Sequence, residues 1–198
     1  MARRLFIAIN LPEKIKDAIS YEIEHRLRSF FPPGNRFVKP ENWHITLAFL
    51  GSRRDDEIPT LVQQIKKVAL SFPPPVIKLA GVIYGPPPRL HPKGRKIGKG
   101  GRRQSMIWLT GSKETNKNLE KIQKHFVASH QPFNTHITLL RFGNQPDFPR
   151  VLPAIERDVD WHFTAETLDL MESTLHHLGS QYTILFSSAF KSQQPVAE

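Results

Sequence analysis

Two apolar segments of the chain carry the same pattern of polar positions. Residues 43–51 and 135–143 each contain His-x-Thr among β-prone hydrophobic residues, and each closes on a glycine. Because successive side chains of a strand alternate between two faces, the pattern predicts two buried strands whose histidine and threonine share one face. The four polar residues concerned are His44, Thr46, His136 and Thr138.

These paired positions have a plain interpretation and a functional one. A single histidine in a strand is usually a hydrogen-bonded core or surface residue. Burying matched polar groups in two otherwise apolar strands is costly unless they have a use. We therefore favour a functional pair, in which the two strands lie side by side and form a symmetric pocket of two histidines and two threonines.

Helical periodicity is found in four other segments. Apolar residues recur at helical spacing over 15–30, 58–69 and 119–126, and again over 148–159, where Pro153 predicts a short or kinked helix. The first apolar stripe consists of Ile15, Ala18, Ile19, Ile23, Leu27 and Phe30. Further strands are predicted at 3–11, 37–39, 76–84, 105–110, 162–171 and 182–190, with a turn at 175–180.

This order of elements predicts an α+β fold with helices packed outside antiparallel sheets. The two His-x-Thr strands lie about half a chain length apart, which suggests an ancient duplication. We therefore expect residues 1–198 to form a single domain built of two similar lobes, one from each half of the chain.

The composition narrows the class of partner. The 198 residues carry a formal net charge of +10, with a pI near 10.0. Such a surplus of Lys and Arg favours a polyanionic partner, although a basic surface that serves solubility alone gives the same numbers. Charge does not separate nucleic acid from an anionic membrane, but no apolar run approaches the length of a membrane span. We expect a cytoplasmic monomer without membrane association.

Residues 89–103 differ from the segments around them. They combine basic residues with glycine and proline breaks and almost no apolar side chain, which predicts a mobile basic loop. The final residues, 193–198, are predicted to form a frayed tail. The basic residues of the loop are Arg89, Lys93, Arg95, Lys96, Lys99, Arg102 and Arg103.

Two facing imidazoles suit chemistry at a phosphodiester. The unperturbed pKa of histidine, about 6.5, allows one ring to be neutral while the other is protonated. The neutral ring can take a proton from water while the imidazolium protonates the departing sugar oxygen, and threonine hydroxyls can donate to the non-bridging oxygens. This chemistry requires neither a metal ion nor a cofactor. The chain has no cysteine, no Gly-x-Ser-x-Gly and no P-loop, so thiolate, serine-elbow and P-loop chemistry are excluded.

Longer stretches around these motifs resemble one known family. They are Arg-Leu-Phe-Ile-Ala-Ile at 4–9, Lys-Pro-Glu-Asn-Trp-His-Ile-Thr-Leu at 39–47 and Pro-Phe-Asn-Thr-His-Ile-Thr-Leu-Leu-Arg at 132–141, followed by Glu172, Ser173, Gly179 and Tyr182. Together they are similar to the two-histidine (2H) phosphoesterase superfamily, specifically its RNA 2',3'-cyclic phosphodiesterase branch, also called 2'-5' RNA ligases. The resemblance covers nearly the whole chain.

The resemblance implies a bilobal α+β fold with a pseudo-twofold axis through a central cleft, and opening of a terminal 2',3'-cyclic phosphate to a 2'-phosphate. It implies that His44 and His136 are the catalytic acid and base, and we expect His44 to be the acid for the 3'-oxygen. Thr46, Thr138 and Arg141 would contact the phosphate. Strict alternation puts Arg141 on the face opposite His136, so this role requires a bulge or a strand end; otherwise it is a surface arginine.

The expected partner is RNA with 2',3'-cyclic phosphate ends, including tRNA fragments, or a small cyclic nucleotide. The basic loop would bind RNA beyond the terminal phosphate, with salt-dependent affinity. Phe6 either stacks on a base near the cleft or is a core residue. Two alternatives remain open: the same residues could ligate a 2',3'-cyclic end to a 5'-hydroxyl, or the fold could be a non-catalytic nucleotide- or RNA-binding module.

Overall fold

The computed structural model describes residues 2–31, 36–86, 105–127, 133–142, 153–176 and 179–191. The strands in these ranges are β1 (Ala2–Asn10), β2 (Arg36–Phe37), β3 (His44–Arg54), β4 (Val76–Gly85), β5 (Met106–Gly111), β6 (His136–Arg141), β7 (Arg157–Thr164), β8 (Thr167–His176) and β9 (Gly179–Ala189). The α-helices are α1 (Glu13–Glu22), α2 (Ile58–Ala69) and α3 (Lys113–Gln123). The predicted basic loop and frayed tail lie outside the described residues.

The strands form two antiparallel sheets, and the predicted α+β class is confirmed. The first sheet has the order β3-β1-β8-β9 and the second the order β2-β6-β5-β4-β7. The last two strands of the chain therefore complete the sheet that begins at the first residues, while β2 joins the second sheet. The expectation of one lobe from each half of the chain is wrong in this respect, because strand pairing interleaves the halves.

One hydrophobic core fills the space enclosed by the sheets and helices. From β1 it receives Leu5, Ile7 and Ile9, whereas Phe6 and Ala8 belong to a smaller cluster on the opposite face of the same sheet. This opposite face carries His44 and Thr46. We call it, together with the corresponding face of the second sheet, the site face. Within the described ranges no helix is long and apolar enough to cross a membrane.

The end of the first helical segment departs from the predicted stripe. After α1 the chain continues through a π-helical turn, Ile23–Leu27, and a short 3-10 turn, Arg28–Phe30. A π-helical turn inserts extra backbone into the helical repeat and so shifts the face that follows. As a result Phe31 is buried and Phe30 is exposed, contrary to the prediction for Phe30.

The predicted helix over 148–159 is wrong where the structure describes it. Residues 157–164 form strand β7, in which Val159, Trp161 and Phe163 alternate with polar residues. The strand predicted at 162–171 is divided between β7 and β8. A hairpin of β8 and β9 replaces most of the predicted turn at 175–180, because His176 pairs with Gly179.

Candidate active site

Strands β3 and β6 contact each other across the two sheets, which brings the two His-x-Thr motifs together. On each strand the residues between and after the polar pair are buried in the core, as alternation requires. They are Ile45, Leu47, Ile137 and Leu139. The expectation that one face of each strand presents histidine and threonine together is therefore confirmed by the fold.

A backbone carbonyl fixes the orientation of both histidine rings. The Nδ1 atom of His44 lies 2.8 Å from the carbonyl oxygen of Asn42, and that of His136 lies 2.9 Å from the carbonyl oxygen of Asn134. A carbonyl oxygen only accepts hydrogen bonds, so Nδ1 must carry the proton in each neutral ring. The unprotonated Nε2 atoms are therefore the ones available for proton transfer.

The two Nε2 atoms differ in what they contact. Nε2 of His44 lies 3.0 Å from Oγ1 of Thr46, which donates its hydroxyl proton to the neutral ring. Nε2 of His136 has no hydrogen-bond partner among the described residues. Consequently the lone pair of His136 is free to accept a proton, while that of His44 is already occupied.

Different aromatic residues support the two rings. The His44 ring lies between Phe6, at a centroid distance of 5.0 Å, and Tyr182, whose edge-on ring is 4.9 Å away. The His136 ring stacks on Trp108 at 4.0 Å with an interplanar angle of 24°. A Cβ atom at Gly85 would overlap the Trp108 indole, so glycine allows that ring to lie flat.

Tyr182 reaches His44 because the β8–β9 hairpin lies over the start of β3. The side-chain amide of Asn42 donates to the carbonyl oxygen of Ser180 at 3.4 Å, and Tyr182 also packs edge-on against Phe6 at 5.4 Å. A segment near the C-terminus thus covers the first His-x-Thr motif. Sequence patterning missed this contact, since it joins residues far apart along the chain.

A β-bulge places Arg141 on the same face of β6 as His136 and Thr138. In the pairing of β5 with β6, Trp108 is opposite Thr138 and Ile107 is opposite Leu140, so Leu139 is the extra residue. Arg141 pairs with Met106 and therefore shares the face of Trp108 and Thr138. Its Nη1 atom lies 3.4 Å from the Met106 sulfur. The bulge that a phosphate-binding role for Arg141 requires is present.

An equivalent bulge occurs in β3 and exposes an aromatic residue. Ile7 pairs with Ala48 and Ala8 with Thr46, so the register skips Leu47 and brings Phe49 onto the site face. Phe49 is 77% exposed, whereas Phe6 beside it is 2% exposed. Phe6 therefore supports the His44 ring instead of offering a free face to a base. The signal for Phe49 was present in the sequence, because it follows His44 by the same five positions as Arg141 follows His136.

Burial and nearby positive charges lower the pKa of both histidines. Loss of solvent is the main cause for His44, and the charges of His136 and Arg141 add to it; the Asn42 carbonyl opposes them, and the pKa falls to about 4. For His136 burial and Arg141 again lower the pKa, against the Asn134 carbonyl. The charges of His136 and Arg141 act on His44, and the charge of Arg141 acts on His136, which agrees with the contact between β3 and β6. The lowered pKa values favour the neutral form of both rings.

The seven basic residues of the predicted loop, Arg89 to Arg103, lie outside the described residues, and their contact with RNA stays a prediction. In the part of the chain that the structure describes, no group of three or more His, Asp or Glu side chains is placed to hold a metal ion.

Two His-x-Thr strands meet between two antiparallel sheets, as the resemblance to the two-histidine phosphoesterases implies, and comparison with known proteins supports this class. Residues 9–94 match the model of the LigT like Phosphoesterase family. An RNA 2',3'-cyclic phosphodiesterase of Thermus thermophilus is 30% identical, over 92% of this chain and 87% of its own. The protein of the same name from Escherichia coli is 29% identical, over 92% of this chain and 94% of its own. The chain therefore belongs to the LigT-like phosphoesterase family.

Solved structures agree with this assignment. A crystal structure of a Thermus thermophilus protein superposes with a TM-score of 0.72 at 25% identity, covering 96% of this chain and 100% of the other. Escherichia coli LigT complexed with 3'-AMP gives a TM-score of 0.65 at 23% identity, covering 97% of this chain and 100% of the other. The fold is shared throughout the length of these proteins.

Proposed function

We propose that the protein is an RNA 2',3'-cyclic phosphodiesterase that opens a terminal 2',3'-cyclic phosphate to a 2'-phosphate without a metal ion. The observation that carries the proposal is the pair of histidines on the contacting strands β3 and β6, each held by a carbonyl so that Nε2 is the nitrogen available for proton transfer. Relatives that bear this activity in their names match over most of the chain, which adds support.

In the proposed reaction a water oxygen attacks phosphorus and the bond from phosphorus to the 3'-oxygen breaks. Nε2 of His136 takes the proton of the water, and Nε2–H of His44 gives a proton to the 3'-oxygen. The products are a 2'-phosphate and a 3'-hydroxyl. Each proton transfer contributes about 10² to 10⁴ in rate.

The contacts of the two rings support this division of roles. The lone pair of His136 is free for water, whereas Thr46 occupies that of His44 until the ring is protonated. The lowered pKa of His44 opposes its role as the acid. A bound phosphodiester carries a negative charge, which raises the pKa of a neighbouring imidazole and restores the proton.

The phosphate and the base would occupy different parts of the site face. Thr46 and Thr138 donate to non-bridging oxygens, and the guanidinium of Arg141 offers paired N–H groups to the same phosphate. The exposed ring of Phe49 provides a surface on which the terminal base stacks. These assignments give a role to the polar or aromatic residues on the site face from His44 to Phe49 and from His136 to Arg141.

Incubation with an oligoribonucleotide ending in a 2',3'-cyclic phosphate tests the proposal. We expect a product with a 2'-phosphate and a 3'-hydroxyl, formed equally well after treatment with a chelator. A strand joined to a 5'-hydroxyl acceptor would instead support ligation, and binding without turnover would support a non-catalytic module. A 3'-phosphate product would contradict the proposed bond cleavage.

The assignment of acid and base has its own test. A substrate whose 3'-oxygen is replaced by a better leaving group needs no acid, so it should rescue the His44→Ala variant and leave His136→Ala inactive. Rescue of His136→Ala alone would reverse the two roles.

A further inference from the structure

Arg36 lies directly opposite Arg141 where β2 pairs with β6. The next pair in the register is Phe37 with Leu140, and Leu140 belongs to the core. Because directly paired residues share a face and successive residues alternate, both arginines project from the site face. Arg36 is exposed to solvent. The site face therefore ends in two guanidinium groups, one on each strand.

Such an arrangement is unfavourable without an anion. Like charges directly opposite each other in a sheet are destabilising. Neither arginine forms an ion pair within the described residues, and the side-chain hydrogen-bond partner of Arg141 there is the weak acceptor sulfur of Met106. Other arginines of the first sheet and its flanking helices do have carboxylate partners within 3.2 Å. These are Arg3, Arg28, Arg53 and Arg54.

The two guanidinium groups differ in their distance from the histidines. The charge of Arg141 lowers the pKa of both His44 and His136, whereas Arg36 lies on the edge strand β2, one strand farther out than β6. Arg141 would thus lie beside the reacting phosphate. Arg36, on the neighbouring edge strand β2, lies farther from the histidines. Arg141 can bind a single phosphate that lies between the histidines. Arg36 is then available to bind a second anion.

We propose that Arg36 binds the phosphodiester that precedes the terminal nucleotide, so that this site recognises the end of an RNA strand in preference to a cyclic mononucleotide. The inference rests on the proposed function, because it takes the cyclic phosphate to lie between the histidines. It is independent of the basic loop at 89–103, since it uses only residues of β2 and β6.

The test compares two substrates in the Arg36→Gln variant: a short oligoribonucleotide and a mononucleotide, each carrying a 2',3'-cyclic phosphate. We expect kcat/KM for the oligoribonucleotide to fall about tenfold, the scale of one charge-assisted hydrogen bond, and that for the mononucleotide to stay unchanged. The salt dependence of oligonucleotide binding should lose about 0.7 from its slope, corresponding to one phosphate of a single strand.

Two other variants serve as controls for this test. Lys117→Gln removes an exposed charge from α3, away from the site face, and should leave both substrates and the salt slope unchanged. Arg141→Gln should lower turnover of both substrates. An equal loss of both substrates in Arg36→Gln would place Arg36 on the reacting phosphate and overturn the inference, as would unchanged turnover of both.

Direct binding separates this inference from the proposed function. The anisotropy of a labelled oligoribonucleotide ending in a 2'-phosphate reports affinity without turnover. Weaker binding to Arg36→Gln than to Lys117→Gln would support the subsite, whether or not the wild-type protein hydrolyses either substrate. Absence of hydrolysis by the wild-type protein would contradict only the proposed function. Equal binding to the two variants would remove the subsite.

Discussion

Strands β3 and β6 share the same motif and the same bulge, but they differ in the exposed residue that follows the bulge. Each places a histidine and a threonine on the site face, and each has a bulge at the leucine three positions after the histidine. Five positions after the histidine, however, β3 presents Phe49 and β6 presents Arg141. The common part supplies the pair of histidines, and the unequal part places an exposed aromatic ring on one strand and a guanidinium group on the other.

The neighbouring strands preserve this asymmetry. Thr46 is paired with Ala8, which leaves room for rings arriving from Phe6 and Tyr182. Thr138 is paired with Trp108, whose own indole covers His136. The two halves therefore hold equivalent imidazoles by different means, and substitutions can test which features are shared and which are particular to one half.

Removal of either histidine should have the largest effect. His44→Ala and His136→Ala should each lower kcat by about 10² to 10⁴, because each removes one proton transfer. Single-turnover kinetics on an oligoribonucleotide with a cyclic phosphate end would measure the loss. Circular dichroism should show an unchanged fold, since both rings project from the sheet into the site. Retention of full activity by either variant would show that the motifs are not equivalent in chemistry.

Arg141→Gln should reduce kcat/KM by about 10² and also change the histidines. Loss of a charged donor to the phosphate weakens stabilisation of the transition state. Because the Arg141 charge lowers both histidine pKa values, the variant should raise them. NMR titration of the imidazole protons measures the shift, and Phe49→Ala is the control at the equivalent position. Unchanged histidine pKa values would mean that the guanidinium points away from the cleft.

Acid should destabilise the protein through His44. Its folded-state pKa of about 4 is below the ordinary 6.5, so the unfolded chain binds a proton first as the pH falls. The stabilisation from the neutral ring is present above pH 6.5 and is lost toward pH 4, on the order of 3 kcal/mol. Urea denaturation at a series of pH values should show this loss. His44→Gln should show a flatter profile; an identical slope would contradict the burial of the ring.

Phe49→Ala should have the smallest effect and act mainly on binding. Stacking of one base on an aromatic ring contributes about 1–3 kcal/mol, so KM should rise about tenfold or more with little change in kcat. Phe49→Trp should retain the low KM, which separates stacking from a general disturbance of β3. A lowered kcat in both variants would instead indicate a role in placing His44.

The His-x-Thr pairs could be predicted from sequence because period-two alternation fixes them locally. The outward turn of Arg141 could not be derived from strict alternation, although Leu47-Ala48 and Leu139-Leu140 place two apolar residues together at the same point of each repeat. Two adjacent buried residues mark a bulge. The two pairs of adjacent apolar residues, compared with each other, would have predicted that Phe49 and Arg141 lie on the site face.

Contacts between distant segments could not be predicted from the alternation of residues along a single strand. Tyr182 reaches His44 only because β8 and β9 join the first sheet, and Arg36 faces Arg141 only through pairing of β2 with β6. The helix predicted over 148–159 failed for a related reason. Apolar residues there also fit helical spacing, and the pairing of β7 with β4 decided the outcome.

The residues that can occupy positions 85 and 108 depend on each other, because the Trp108 indole lies flat over Gly85. Any side chain at position 85 would displace Trp108, and with it the support of the His136 ring. Larger residues at 85 should therefore be accepted only together with a smaller residue at 108. A combinatorial library that varies both positions should recover folded pairs that substitution of Gly85 alone does not yield.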